Sequence, residues 1–161
     1  MAVGSGSWSF TEEDFKAITS ALEKFLGESN CRCAILVDRA GQLIATVGEK
    51  PKFDPTTFAT LTAADFSAND QLAKLIGEND FQSLFHQGEK ESMYLADVVR
   101  RVILVVLFDN RTTLGLVRLK MKEVVADLTK IFEVVFKRGA TGAKGPSVLS
   151  GADDEIDKLF Q

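Results

Sequence analysis

The pattern of apolar and polar positions is clearest between Arg101 and Asp109, where seven apolar residues run without interruption. Alternate side chains of a strand point to opposite faces, so Ile103, Val105 and Leu107 share one face and the other four residues share the second. Both faces are apolar, and a strand of this kind needs packed cover on each side. The pattern therefore predicts a central strand with helices above and below its sheet.

Four further apolar segments are separated by turn residues. The run at 33–37 is followed by the turn sequence DRAG and by a second run at 43–47, which predicts a hairpin. A second hairpin is predicted from 81–87 and 92–96, with Gly in the link between them. The link at 97–100 has no Gly or Asn to adopt a positive φ, so we expect strain or a wider loop there.

Three segments have the spacing of amphipathic helices. The first begins at Thr11, a hydroxyl N-cap followed by acidic residues, and is expected to stop at Gly27. The second begins after the N-cap Asp54, which precedes a proline, and ends at Gly77. The third is predicted over 114–138 and has a long buried seam that covers the sheet.

The middle helix does not sort cleanly into a core face and a solvent face. A rotation of 100° per residue collects six apolar residues on one side, and we predict these as its core stripe: Phe58, Leu61, Ala68, Leu72, Leu75 and Ile76. Asp65 falls within that stripe, whereas Phe66 falls well outside it. The helix therefore has an apolar residue where solvent is expected.

The order of elements, α-β-β-α-β-β-β-α, predicts an α/β fold of the α+β type with a five-stranded antiparallel sheet. The middle helix would cover one face and the other two helices the opposite face, giving three layers. The domain is predicted at 11–138, after a disordered N-terminus at 1–10. A Gly-, Ala- and Ser-rich flexible linker is predicted at 139–151, followed by a short amphipathic tail at 152–161.

Composition narrows the class of protein. The net charge is −4 and the pI is about 5.1, which disfavours binding to a nucleic-acid backbone. No segment approaches the roughly 20 apolar residues that span a bilayer, and residues 1–7 lack the features of a signal peptide. We therefore expect a cytoplasmic protein without membrane contact. Cys31 and Cys33 lie two apart on a strand, where a disulfide would be strained, so both are expected to be free.

The sequence offers little catalytic chemistry. His86 is the sole histidine and lies in a predicted strand with no nucleophile motif around it, which favours a structural role. We expect no enzyme activity, cofactor or metal. Arg111 follows the central strand and has two interpretations: a finger toward the phosphates of a partner, or a solvated loop arginine. The second is favoured.

Several segments carry a family resemblance. They are LVDRAGQLIA at 36–45, LAKLIGEN at 72–79, VVLFDNRTT followed by LGLVR at 105–118, and DEIDKLF at 154–160. With the order of elements they resemble the roadblock family, and more narrowly its bacterial MglB-type members. The resemblance implies a homodimer that binds a Ras-like small GTPase of the MglA type, in cell polarity and gliding motility. It also implies stimulated GTP hydrolysis through the partner's own catalytic residues, without an inserted arginine.

The resemblance also suggests a role for the outer side of the middle helix. A two-fold contact between two such helices would bury Phe66, which is costly to leave in water. We therefore place a dimer interface at Phe66, Asp70 and Ala59. The predicted partner-binding residues are Ala63, Ser67, Gln71 and Lys74 in this helix and Ile156, Leu159 and Phe160 in the tail.

Two other functions are kept as alternatives. MglB-type sequences that resemble this chain have small residues at the positions of Ser67, Asp70 and Gln71, so the contact face is altered. A scaffold that binds another roadblock protein or a polarity protein without activating a GTPase is therefore the main alternative. A ligand-sensing domain is a weaker one, because it would need a closed apolar cavity.

Overall fold

The structure is a computed structural model that describes residues 9–142. It contains three helices and five strands in the predicted order: α1 (Glu12–Ser29), β1 (Cys33–Asp38), β2 (Leu43–Gly48), α2 (Pro55–Leu75), β3 (Ser83–Gln87), β4 (Ser92–Val98), β5 (Val102–Phe108) and α3 (Leu114–Gly142). The predicted α+β fold class and its order of elements are confirmed.

The strands form one antiparallel sheet in the order β2-β1-β5-β4-β3, so the predicted central strand is in the middle. Ile103 and Val105 pack under α2 with Phe66, whereas Leu104 and Val106 pack under α1 and α3. The two faces of β5 are therefore covered by different layers, as its apolar run requires. β3 lies at one edge of the sheet, and within the described residues it pairs only with β4.

The predicted start of α1 is confirmed, but its predicted end is wrong. Thr11 accepts a hydrogen bond from the Asp14 backbone, and Asp14 accepts one from the Thr11 backbone. The helix continues past Gly27 and is capped by Asn30, which adopts φ 59° and donates its backbone N–H to Leu26. Asparagine tolerates this left-handed conformation, so a glycine is not needed at the stop.

Both ends of the predicted domain need correction. Phe10 is buried, and its ring lies 5.3 Å from Phe15 and 5.7 Å from Phe132 between centroids, so disorder up to residue 10 is wrong there. α3 continues to Gly142, so the first four residues of the predicted linker are helical. The remaining linker and the tail at 152–161 lie outside the described residues.

The link between β4 and β5 is strained, as its sequence predicts. Val99 and Arg100 adopt φ values of 49° and 60°, and Arg101 donates its backbone N–H to the Val98 carbonyl across the turn. A residue with a Cβ loses roughly 1–2 kcal/mol in this left-handed region. The hairpin closes at that cost because Val98 and Val102 are both fully buried.

Relief of this strain is expected to stabilise the fold. Arg100→Gly should have a free energy of unfolding about 1 kcal/mol higher than Arg100→Ala, because both remove the exposed side chain and only glycine removes the Cβ. Chemical denaturation of the two variants measures the difference. Equal stabilities would show that the turn relaxes at no cost with a Cβ present.

Candidate partner-binding site

The candidate site is built on α2, which begins where the sequence predicts. Asp54 caps the helix and accepts hydrogen bonds from the Thr57 backbone at 3.1 Å and from the Thr57 hydroxyl at 2.6 Å. Pro55 is at its first position. The helix ends at Leu75, and Gly77 follows it with φ 88°.

The buried face of α2 is not the predicted one. It consists of mostly small or polar residues around one large ring: Ala59, Thr62, Ala63, Phe66, Asn69 and Ala73. Phe66 has 0% exposure and packs with Ile35 and Val105 of the sheet. Of the predicted core stripe, only Phe58 is packed against this cluster.

Small residues bring α2 close to the hairpin of β1 and β2. A Cβ on Gly41 would lie 3.2 Å from the Thr60 Cα and 3.7 Å from the Ala63 Cβ, so a glycine fits this contact. Gly41 also adopts φ 93°, which a side chain would strain. Because the hairpin approaches α2 so closely, only the helix face with small side chains can pack against it. The bulky leucines therefore lie on the opposite, exposed face of α2.

This arrangement overturns part of the predicted interface. Phe66 and Ala59 both have 0% exposure within one chain, so neither has surface to offer a second copy. Ala63 is also buried, against the β1–β2 hairpin, so it is not a partner-binding surface. Asp70 is largely covered and paired inside the chain with Arg39.

An apolar stripe is exposed on the outer side of α2. Its large members retain much of their surface in water: Leu61 (64%), Leu72 (57%), Leu75 (82%) and Ile76 (70%). Ala64 and Ala68 are exposed between them and complete the stripe. Large exposed apolar patches on a folded domain are typical of protein interaction sites. We call these six residues the outer stripe.

The outer stripe has a different neighbour on each side. On one side, Asp65 contacts His86 of the edge strand β3, with 2.7 Å between Oδ2 and Nε2. On the other side, Ser67, Gln71 and Lys74 are exposed, so three of the predicted partner-binding residues are accessible. Their part in binding stays a prediction. Ile156, Leu159 and Phe160 lie outside the described residues.

An ion network under α2 was not found from the sequence. Arg39, in the turn after β1, donates to Asp70 of α2 and to Asp97 of β4, each at 2.5 Å, and its guanidinium lies 4.9 Å from the Phe66 ring centroid. Burial alone would lower the pKa of Arg39, but hydrogen bonds to the two carboxylates raise it. No sequence pattern pairs residues 31 and 58 positions apart.

Arg111 is held within the chain. Its Nε donates to Asp109 at 3.0 Å and its Nη2 donates to Glu49 at 3.2 Å. The hydrogen bond that Arg111 donates to Asp109, and to a smaller extent the one that it donates to Glu49, raise the pKa of the guanidinium. A finger would have to break both contacts, so the arrangement favours the loop interpretation.

Both cysteines are free, as expected, and both are buried. Cys31 precedes β1, so its predicted place on the strand is wrong. Burial raises the pKa of Cys33 to about 11. Among residues 9–142, no group of three or more His, Cys, Asp or Glu side chains is placed to hold a metal ion. None of the helices in that range has the length and apolar content to cross a membrane.

The three-layer arrangement, with one helix over one face of a five-stranded antiparallel sheet and two over the other, defines a roadblock fold. The family model described as Roadblock/LC7 domain matches residues 18–108 of this chain. The chain therefore belongs to that family.

Solved structures show which members of the family this chain resembles. MglB of Myxococcus xanthus is 48% identical, with 74% of this chain and 98% of that chain covered and a TM-score of 0.72. A gliding protein, MglB of Thermus thermophilus, is 34% identical over 81% of this chain and 98% of its own, with a TM-score of 0.74. An MglB with a tetrameric arrangement is 33% identical over 82% of this chain and 99% of its own, with a TM-score of 0.76.

Proposed function

We propose that this protein is a homodimeric cytoplasmic regulator of an MglA-type Ras-like small GTPase in polarity or gliding motility, with no catalytic site of its own. The similarity to two MglB proteins that covers at least 98% of their chains supports the proposal. The outer stripe of α2 is the observation that carries it. Such a stripe gives a regulator a surface for a second copy and leaves polar residues beside it for a GTPase.

The outer stripe supports a dimer formed through α2. Full burial of a leucine or isoleucine side chain contributes about 1.5–3 kcal/mol relative to exposure, and four such residues are available. The edge strand β3 is joined to the stripe through Asp65 and His86, so one two-fold contact can cover both. We therefore propose the outer stripe, and not Phe66, as the dimer interface.

The pairing of Arg111 bears on how such a regulator acts. With its guanidinium occupied by Asp109 and Glu49, this loop supplies no ready cation to the γ-phosphate. Ser67, Gln71 and Lys74 then act by contact with the GTPase, whose own residues perform the hydrolysis. GTP hydrolysis is then stimulated because this contact orders the catalytic residues of the GTPase.

The test is single-turnover GTP hydrolysis by the MglA-type GTPase of the source organism, with and without stoichiometric protein. We expect the rate to rise at least about tenfold, which corresponds to about 1.4 kcal/mol off the barrier. Leu72→Asp should weaken dimerisation at least about tenfold, because a charge replaces a buried side chain at the interface, and should reduce the stimulation. Sedimentation velocity follows the dimer.

Leu119→Asp is the matched control, because Leu119 is a leucine of similar exposure, 55% against 57%, on α3 and outside the stripe. It should dimerise and stimulate hydrolysis as the unmodified protein does. A Leu72→Asp protein that remains fully dimeric would contradict the placement of the interface. Unchanged hydrolysis in the presence of bound protein would contradict activation.

The alternative is a scaffold that binds another roadblock protein without activating a GTPase. The outer stripe also supports this function, since an apolar helix face accepts any complementary helix. The same assay separates the two functions. A scaffold would form a stable heterodimer with a second roadblock protein and leave the hydrolysis rate unchanged.

A further inference from the structure

A groove remains open on the face of the sheet that carries α1 and α3. α1 packs over β1 and β2 and α3 packs over β4, which leaves the edge strand β3 less covered. The resulting cavity has a volume of about 440 Å³. Its apolar walls are Tyr94, Ala96, Met121 and Val125, and its polar lining is Asp80, Gln82, Ser83, Asp97, Arg118 and Lys122. We call this the α3 groove. It lies on the opposite side of the sheet from the outer stripe.

The unpaired charge of the α3 groove is positive. Asp80 pairs with Arg100 at 3.6 Å, and Asp97 pairs with Arg39, so both acids are already neutralised. Arg118 and Lys122 lie one helical turn apart on α3, and both are exposed. No acidic side chain of the described residues forms an ion pair with either one. The groove therefore suits an acidic ligand that also has apolar side chains.

The chain itself contains a segment of that chemistry. Residues 153–160 read DDEIDKLF, with four carboxylates and one lysine, and their apolar residues Ile156, Leu159 and Phe160 follow helical spacing. A helix of eight residues is not stable alone in water and gains its order by packing. Carboxylates could face Arg118 and Lys122 while the apolar side chains face Tyr94 and Val125.

The covalent connection allows the segment to reach the groove. Gly142 lies 17 positions after Val125 and 20 positions after Lys122, which corresponds to about 26 Å and about 30 Å along α3. The ten residues at 143–152 span up to about 35 Å when extended. A short tether also gives its ligand a millimolar effective concentration, so a weak contact is enough.

We propose that the acidic segment 153–160 docks in the α3 groove of its own chain. Docking requires no GTPase, so the proposal stands apart from the proposed function. It has a consequence for partners, because a partner that binds Ile156, Leu159 or Phe160 must first displace the segment from Arg118 and Lys122. The strength of docking in the α3 groove then determines how readily a partner can bind the tail.

A spin label on the full-length chain tests the docking. Gln161→Cys provides the attachment site, and the native cysteines are buried with raised pKa values, so they should remain unlabelled. In the nitrogen-15 labelled protein, amide signals of Ser83, Lys122 and Val125 should lose more than half of their intensity when the label is paramagnetic. Lys122→Glu should restore most of it.

Lys130→Glu is the control, because Lys130 is also an exposed lysine of α3 but does not line the groove. It should leave the attenuation unchanged. Absence of attenuation at the groove, or equal effects of the two charge reversals, would overturn the proposal. Attenuation that persists when the spin label and the nitrogen-15 are on different chains would also overturn it, since the segment would then dock on a second copy.

Discussion

Phe66→Ala is expected to lower the free energy of unfolding by about 3–5 kcal/mol, the range measured when a buried phenylalanine is truncated to alanine. Phe66 has 0% exposure and is the one large side chain on the buried face of α2. Its neighbours on that face are small or polar, so they cannot fill the space. A cavity would remain between α2 and the sheet, and the loss should be toward the upper end of the range.

Urea denaturation of Phe66→Ala and Leu72→Ala makes the comparison. Both residues are large and apolar and both lie on α2, but Leu72 is 57% exposed. In a sample dilute enough to be monomeric, Leu72→Ala should change stability by no more than about 0.5 kcal/mol. Similar losses for the two variants would contradict the burial of one face and the exposure of the other.

This pair of residues also explains where sequence reasoning failed. A hydrophobic stripe on a helix indicates a buried surface, but it does not say whether the sheet or another protein covers it. In α2 the leucines point outward, and the sheet receives Ala59, Ala63 and Ala73 around Phe66. The available signal was the regular spacing of these small residues, which allows close packing on a sheet.

The strands could be predicted because the apolar pattern of a strand depends on its place within its own sheet. A run that is apolar on both faces has one stable position, the centre of a covered sheet, and β5 lies there. The strained link after β4 was also predictable, since Val99 and Arg100 have no low-energy way to adopt a positive φ. The cap at Asn30 was missed because a glycine was expected at the end of the helix, whereas asparagine can adopt the same left-handed conformation.

Long-range polar contacts were the least predictable part of the candidate site. Arg39 bonds to Asp70 and Asp97, and only the folded chain brings these three together. Asp70 was predicted at a dimer surface because its partner was unknown. In the structure Asp70 instead faces the hairpin and pairs with Arg39 inside the chain.

Arg39→Met is expected to lower the free energy of unfolding by about 3 kcal/mol. This value is at the low end of the range for breaking a buried ion pair, since Arg39, Asp70 and Asp97 keep 29%, 23% and 16% side-chain exposure. Because methionine keeps most of the packing volume of arginine, the loss of stability measures mainly the contribution of the positive charge. Two partly buried carboxylates would be left facing each other without a cation, and the contact with Phe66 would be lost.

Arg32→Met is the matched control for this loss. Arg32 has similar exposure, 33%, but its partners Glu49 and Glu91 are each 48% exposed and remain hydrated when it is removed. Its third acid, Asp109, is 19% exposed but keeps the ion pair with Arg111. A surface network of this kind contributes about 1 kcal/mol or less. Equal losses for the two variants would mean that stranded carboxylates are not the cause.

Neutralising a stranded partner separates charge from geometry. Asp97→Asn in the Arg39→Met background should recover part of the lost stability, because one of the two uncompensated charges disappears. In the unmodified protein the same substitution should be destabilising, because it breaks the bond to Arg39. This reversal of sign, measured as a double-mutant cycle by denaturation, is specific to a charge network. If Asp97→Asn destabilised both backgrounds equally, Arg39 would hold α2 by packing on Phe66 alone.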